Sequence, residues 1–293
     1  MFRRAAELGP AAREAISGLL EAPLFELIPL KSVDSQLPFL PAGATVTVTA
    51  SPAKGIEATV ELSARLAGLG FTAVPHLSAR MIRDRTHLRA LLGTLRAASI
   101  RQVFVVGGDS DAPGEFPDGL SLLRALADLG HPFTEVGIPG YPEGHPTIPD
   151  DRLLAALAEK QQFATSITTQ LCFDAGRIRS WLLARRAAGI SLPVTLGIPG
   201  IAELHKLIEI SARIGVRDSR RFVSKNTALV GRILRPGGYR PDGLLAALVP
   251  LLLDPLADVR GIHLYTFNQV ETTEEWRQAY LAGLAALDAA VAS

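Results

Sequence analysis

The chain has 293 residues, 48% of them hydrophobic, and a formal net charge of +1. That length suits one large α/β unit better than two ordinary domains, and the near-zero charge gives no global electrostatic support for a nucleic-acid partner. The single cysteine, Cys172, excludes an intramolecular disulfide and a thiolate-cluster metal site. No apolar run approaches the roughly 18 residues that a bilayer span needs. The N-terminus is charged throughout and lacks the apolar centre of a secretory signal. A soluble cytoplasmic protein with no membrane partner is the expectation.

Residues 11–21 read as an amphipathic lead-in helix stopped near Pro23, a segment that either plugs the bottom of a barrel or packs outside it. Eight short apolar strand signals follow: FELIPLK from Phe25, TVTVTA from Thr45, TAVPHLSA from Thr72, QVFVVGGD from Gln102, EVGIPGYPEGHP from Glu135, SITTQLCFD from Ser166, PVTLGIPG from Pro193 and GIHLYTFN from Gly261. Helical spacing of apolar residues fills most intervals, over 55–69, from Asp84 through Leu95, and over 120–129, 153–163 and 177–188. The interval 201–260 is long and predicts two or three helices, broken by the Gly/Pro-rich 235–243. An Ala-rich helix closes the chain after Thr273, with Thr272 or Thr273 as N-cap before Glu274 and Glu275.

Eight strands alternating with helices predict an α/β fold, a closed (β/α)8 barrel. The whole of 1–293 reads as one domain, with an extra N-terminal helix and extra helices between the seventh and eighth strands. Such barrels carry their active sites at the C-terminal ends of the strands. The polar residues at those ends are Glu26, Thr49, His76, Asp109, Tyr141, His145, Gln170 and Asn268.

Glu26 is flanked by Phe25, Leu27 and Ile28, and desolvation there favours the protonated form, a usable proton donor near neutrality. The plain alternative is a strand-end Glu paired with Lys31 or an arginine. Asp109 follows Gly107 and Gly108, whose missing side chains let a flat ligand approach the backbone; a turn or helix cap is the alternative. Tyr141 and His145 stand in a loop stiffened by Pro142 and Pro146, placed to stack on a ring and to bind a ribose or phosphate. Gln170 carries two donors and an acceptor, suited to the edge of a pterin or pyrimidine, or else satisfied within the barrel. Cys172 reads as a packed thiol inside an apolar strand, and His263 as a mid-strand structural histidine. His76 lacks a carboxylate partner at a metal-ligand spacing, and no metal site is expected. No Rossmann fingerprint, P-loop or serine-elbow motif is present.

Taken in order, these pieces resemble the methylenetetrahydrofolate reductase family over most of the chain, roughly 25–271. Phe25-Glu26 with Pro29 and Lys31 resembles its FEF-x-PPK opening. Val46-Thr47-Val48-Thr49 followed by Thr59 resembles VSVTYGA…T, and Pro75-His76-Leu77-Ser78 resembles PHLTC. Gly107-Gly108-Asp109 stands for Arg-Gly-Asp, and Gly140 to Pro146 is close to AGYPEGHPE, the most specific single match. Lys160 with Ile167 to Asp174 is similar to K…ITQLFFD. Gly197 to Ile201 resembles PGIMP, and His263 to Asn268 resembles HFYTLN.

The resemblance implies a flavin-bearing (β/α)8 barrel of one-carbon metabolism, upstream of methionine biosynthesis. NADH or NADPH would reduce FAD, and the flavin would reduce 5,10-methylenetetrahydrofolate to 5-methyltetrahydrofolate. Glu26 would protonate the folate nitrogen and Asp109 would favour the cationic intermediate. Gln170, with Glu26 and Asn268, would bind folate. Thr49, His76, Gly108, Asp109, Tyr141, His145 and Lys160 would hold FAD. Relatives commonly associate, so a homo-oligomer is compatible.

The chain departs from the family pattern at Ala50 (a tyrosine in the family), Ser51-Pro52 (Gly-Ala), Gly107 (arginine), Leu153 (an acid, with Asp150 and Asp151 close by) and Gln269 (arginine). Most departures fall on the flavin side. Two alternatives therefore stand beside the flavoenzyme: a flavin-independent reductase of the same substrate, and a non-redox folate-binding or methyl-carrying subunit.

Overall fold

The computed structural model describes residues 7–108, 110, 112–201 and 239–292. Eight parallel strands, β1 (Leu24–Leu27), β2 (Thr45–Val48), β3 (Thr72–Ser78), β4 (Gln102–Val106), β5 (Glu135–Gly140), β6 (Ser166–Thr169), β7 (Val194–Pro199) and β8 (Val259–Tyr265), pair in chain order and close, β1 on β8, into a barrel. The described helices are α1 (Pro10–Glu21), α2 (Gly55–Gly68), α3 (Arg85–Ala97), α4 (Gly119–Leu129), α5 (Asp150–Lys160), α6 (Ala175–Ala187), α7 (Asp242–Leu252) and α8 (Val270–Ala292).

The period-2 alternation of a strand sorts its residues between two chemically different cores. One face of the strands carries Phe25, Leu27, Val46, Val48, Val103, Val105, Val136, Ile138, Ile167, Leu196, Ile198, Ile262 and Leu264, all buried beneath the helices. The other face carries Glu26, Thr47, His76, Thr168 and His263, also buried. The rings of His76 on β3 and His263 on β8 lie 6.4 Å apart, although β1 and β2 intervene between those strands, so this second face lines the barrel interior. The aliphatic shell between strands and helices thus holds the fold together, and the interior is left polar.

The lead-in helix α1 packs outside, against α7, α8 and β8. Ile16 and Leu20 form its buried stripe. Arg277 of α8, itself 8% exposed, donates to the Leu20 carbonyl at 2.8 Å and grips Glu274 with two 2.6 Å bonds, which satisfies a C-terminal carbonyl of α1.

Three local expectations are corrected. Helix α8 begins at Val270, so Thr272 and Thr273 lie within it. Its first N–H groups, of Val270 and Glu271, are capped by Oε1 of Gln36 at 2.8 and 3.3 Å, a partner 234 residues away from Val270. Helix α5 starts at Asp150 because Asp150 and Asp151 sit favourably in its first turn. Strand β6 ends at Thr169, so Cys172 lies in the following loop, where burial pushes its thiol up to about 12 and Sγ donates to the Asp174 carbonyl. Of the helices expected between β7 and β8, α7 is described, and 202–238 lies outside the described residues. Among the described residues no helix is long and apolar enough to cross a membrane.

Candidate active site

Glu26 is the penultimate residue of β1, with 8% of its surface exposed, between the buried Phe25 and Leu27. Its partner is neither Lys31 nor an arginine but His263, whose Nε2 stands 3.3 Å from Oε2. Strands β1 and β8 pair Leu24 with His263 and Phe25 with Leu264, so Glu26 rises one inward rung above the imidazole. The backbone around the carboxyl is pinned from the β8 exit. The Thr266 hydroxyl donates to the Glu26 carbonyl, and the Asn268 amide exchanges two bonds with Ile28 at 2.8 and 2.9 Å. Asn268 takes a positive φ of 53° to make this link, a conformation asparagine tolerates better than most residues. Its amide is thereby engaged in joining the two strand exits.

A chain of rings crosses the interior. Phe104 and His76 lie 4.7 Å apart, and His263 and Tyr265 also 4.7 Å apart. Burial, reinforced by His263, pushes the His76 imidazole down to about 3, so it is neutral across the physiological range. Burial and then the Glu26 charge hold the Tyr265 phenol well above its ordinary value, so it remains a donor. Tyr265 Oη donates to Oε1 of Gln170 at 2.9 Å and to the Thr169 carbonyl at 3.2 Å.

Oε1 of Gln170 also accepts from the Leu171 N–H at 2.9 Å. Two donors on one oxygen fix the orientation of this exposed amide and leave its two N–H donors toward the mouth. A glycine makes the arrangement possible: a Cβ on Gly197 would fall 2.7 Å from the Tyr265 ring and 2.0 Å from the Thr169 carbonyl oxygen. The structure therefore brings Glu26 and Gln170 into one network, through two β8 side chains. Along the chain His263 reads as a structural mid-strand histidine, and nothing local sets Tyr265 apart. Their shared inward register with the strand-end polar residues is the signal that could have found them.

The residues implicated in flavin binding are arranged differently. His76 lies in the barrel interior rather than at its rim, and its Nε2 has no partner among the described residues. Thr49 is half-buried just beyond β2, its carbonyl taken by the Thr59 hydroxyl. Gly108, at φ 85°, lies flush on Ser78, whose Oγ would stand 1.9 Å from an added Cβ. Tyr141 and His145 meet edge to face at 5.2 Å. Lys160 Nζ sits against the first turn of α4, 3.6 Å from where a Cβ on Gly119 would be, and burial pushes it down while Asp118 opposes the shift. Asp109 lies outside the described residues.

Three helix N-termini among the described residues, the usual phosphate cradles of such folds, are capped by carboxylates. Asp84 caps α3 through the His87 N–H at 2.7 Å, Asp118 and Ser121 form a capping box on α4, and Asp174 accepts from the Gly176 and Arg177 N–H groups of α6. In α2 the Glu57 carboxyl is held below its ordinary value by its own backbone N–H, against burial that raises it, with His87 and Arg83 adding to the lowering. Helix α5 carries Asp150 and Asp151 in its first turn.

Two cavities of about 430 and 480 Å³ open on the outer rim, the first beside Arg80 and Arg83, the second beside Arg177 and Arg185. Neither is lined by Glu26, Gln170, Thr49, His76, Tyr141, His145 or Lys160. Among the described residues no three His, Cys, Asp or Glu side chains gather as a metal site would require.

A closed (β/α)8 barrel with a buried carboxyl and an oriented amide at its mouth defines the class, one in which fold alone leaves the chemistry open. The family model described as Methylenetetrahydrofolate reductase matches residues 30–230, more than half of the chain, and the chain belongs to that family. It is 28% identical over 191 residues to methylenetetrahydrofolate reductase 1 of Schizosaccharomyces pombe (61% of this chain, 31% of that protein). It is 24% identical over 193 residues to the probable methylenetetrahydrofolate reductase (NADPH) of Caenorhabditis elegans (61% of this chain, 28% of that protein). The matches thus span about a third of the length of these curated relatives. A solved Burkholderia cenocepacia J2315 structure labelled as a lyase/mutase is also similar, at TM-score 0.44 and 14% identity, over 92% of this chain and 84% of that one. Glu26 and β8 fall outside the matched stretch, so their roles rest on geometry.

Proposed function

We propose that this chain, acting as a single domain, reduces 5,10-methylenetetrahydrofolate to 5-methyltetrahydrofolate with a reduced nicotinamide nucleotide. The observation that supports this most is the buried Glu26 carboxyl, linked through His263 and Tyr265 to the fixed amide of Gln170. Gln170 offers two donors to the edge of the pterin, and Glu26 delivers a proton to N10. The C–N10 bond breaks with its electron pair going to N10, and the one-carbon unit becomes an iminium on N5. A hydride then converts it to a methyl group. Mere binding of folate would not need an acid inside the barrel, which argues against a non-redox carrier.

The residues implicated in FAD binding do not fit a resident dinucleotide. His76 is inside the barrel, Ser78 fills the space above Gly108, Lys160 is packed under α4, and the N-termini of α3, α4 and α6 carry their own carboxylates. A tightly held diphosphate needs permanent donors in exchange for its hydration. A nicotinamide co-substrate docks for one turnover and can leave its phosphates in water. Hydride transfer directly from nicotinamide to the iminium carbon is therefore the reading this geometry favours. The test is an absorption spectrum of the purified protein, followed by stoichiometry of nucleotide oxidation against 5-methyltetrahydrofolate formed. The expected result is one-to-one turnover without a flavin band. Stoichiometric flavin would overturn direct transfer, and no methyl product with either nucleotide, with or without added FAD, would overturn the reductase.

A further inference from the structure

His263 lies outside the family match and has the sequence surroundings of a packed mid-strand residue, yet it touches the carboxyl on which the proposed chemistry depends. Both partners are almost fully enclosed, His263 at 2% and Glu26 at 8% exposure. Water cannot readily exchange for this contact in a low-dielectric interior. The surrounding residues isolate the couple. The other titratable groups that face it among the described residues are His76 on β3, neutral, and Tyr265 on β8, held protonated, with Tyr141 beyond it. Strand β2 offers only the Thr47 hydroxyl, the register partner of Glu26, and β4 offers only the Phe104 ring beside His76.

We propose that His263 is the positioning residue of Glu26, holding the carboxyl toward the mouth and sharing with it the single proton that ring opening consumes. An ordinary imidazole keeps its proton to a pH roughly two units above an ordinary carboxyl. The imidazole can therefore take up a proton and pass it across the 3.3 Å contact to the carboxylate. When Glu26 gives that proton to the folate nitrogen, the couple is left as a carboxylate beside a neutral imidazole. It regains one proton from solvent before the next turnover, which balances the overall consumption of one H⁺ per hydride. This inference rests on the assignment of Glu26 as the acid.

The test is His263→Gln, which keeps a donor near the Nε2 position but cannot store a proton. Folate reduction is measured across pH, with folding checked by circular dichroism. The expected result is a fall in kcat of about tenfold, less than the roughly 10²-fold or more that a positioned acid itself contributes. KM for the folate should stay within about threefold, and the pH profile of kcat/KM should change because the group that shares the proton is gone. An unchanged kcat and pH profile would overturn the assignment. Should the variant not fold, ¹⁵N NMR of the imidazole rings in the wild-type protein and in Glu26→Gln reads the couple directly. The His263 titration should move by more than about half a pH unit, and identical titrations would sink the couple. That measurement needs no turnover, so a wild-type protein without reductase activity would end the proposed function while the NMR still decides whether the couple exists.

Discussion

The two halves of the barrel mouth are built on opposite plans. On the β8–β1 side, polar side chains converge inward: Glu26 on His263, Thr266 on the Glu26 backbone, Asn268 on Ile28, and Tyr265 on Gln170. On the β3–β5 side, polar side chains are turned to local service. Asp84 and Asp118 cap helices, Ser78 fills the space beside Gly108, and Lys160 is packed against α4. The same barrel therefore presents an oriented amide on one side of its mouth and commits the described carboxylates of the other to helix caps. A residue type that suits a cofactor is no evidence for one until its hydrogen-bonding capacity is accounted for, and here the N-termini of α3, α4 and α6 already hold carboxylates.

Substitutions on the two sides should separate accordingly. The largest effect is expected from Glu26→Gln, which keeps shape but removes the transferable proton. Folate reduction should fall by about 10²-fold or more with folate affinity, read by equilibrium titration, little changed. A variant with near-normal turnover would remove the distinction between the halves. Next is Asn268→Ala, which leaves the Ile28 N–H and C=O buried without their partners. It should cost about 2 kcal/mol in denaturant unfolding and lower kcat as the Glu26 backbone loosens. The smallest is Asp118→Ala on the closed side. Loss of the α4 cap should cost about 1 kcal/mol in the same unfolding measurement and leave kcat unaltered. A large kcat loss from this cap would show that the β4–α4 exit takes part in turnover after all.

Much of this was legible along the chain because its causes are local. The alternation of strands such as Val46-Thr47-Val48 announced two faces, and the spacing of Leu88, Leu91, Leu92 and Leu95 announced a helix with one buried stripe. The strand-end position of Glu26 followed from the same reading. Its partner did not, because His263 is 237 residues away and nothing in its own neighbours distinguishes an imidazole facing a carboxyl from one that merely fills space. The cap of α8 is illegible along the chain for the same reason, since Gln36 reaches it only after the barrel closes.

Sequence by itself determined the eightfold β/α rhythm, the family, and which side chains stand at the ends of the strands, since periodicity and motif order survive in one dimension. Only the tertiary structure decided which of those side chains meet. Closing β1 onto β8 places distant residues at a common height, and whether an imidazole touches a carboxyl or a carboxylate seals a helix depends on distances of a few ångströms that spacing along the chain does not encode.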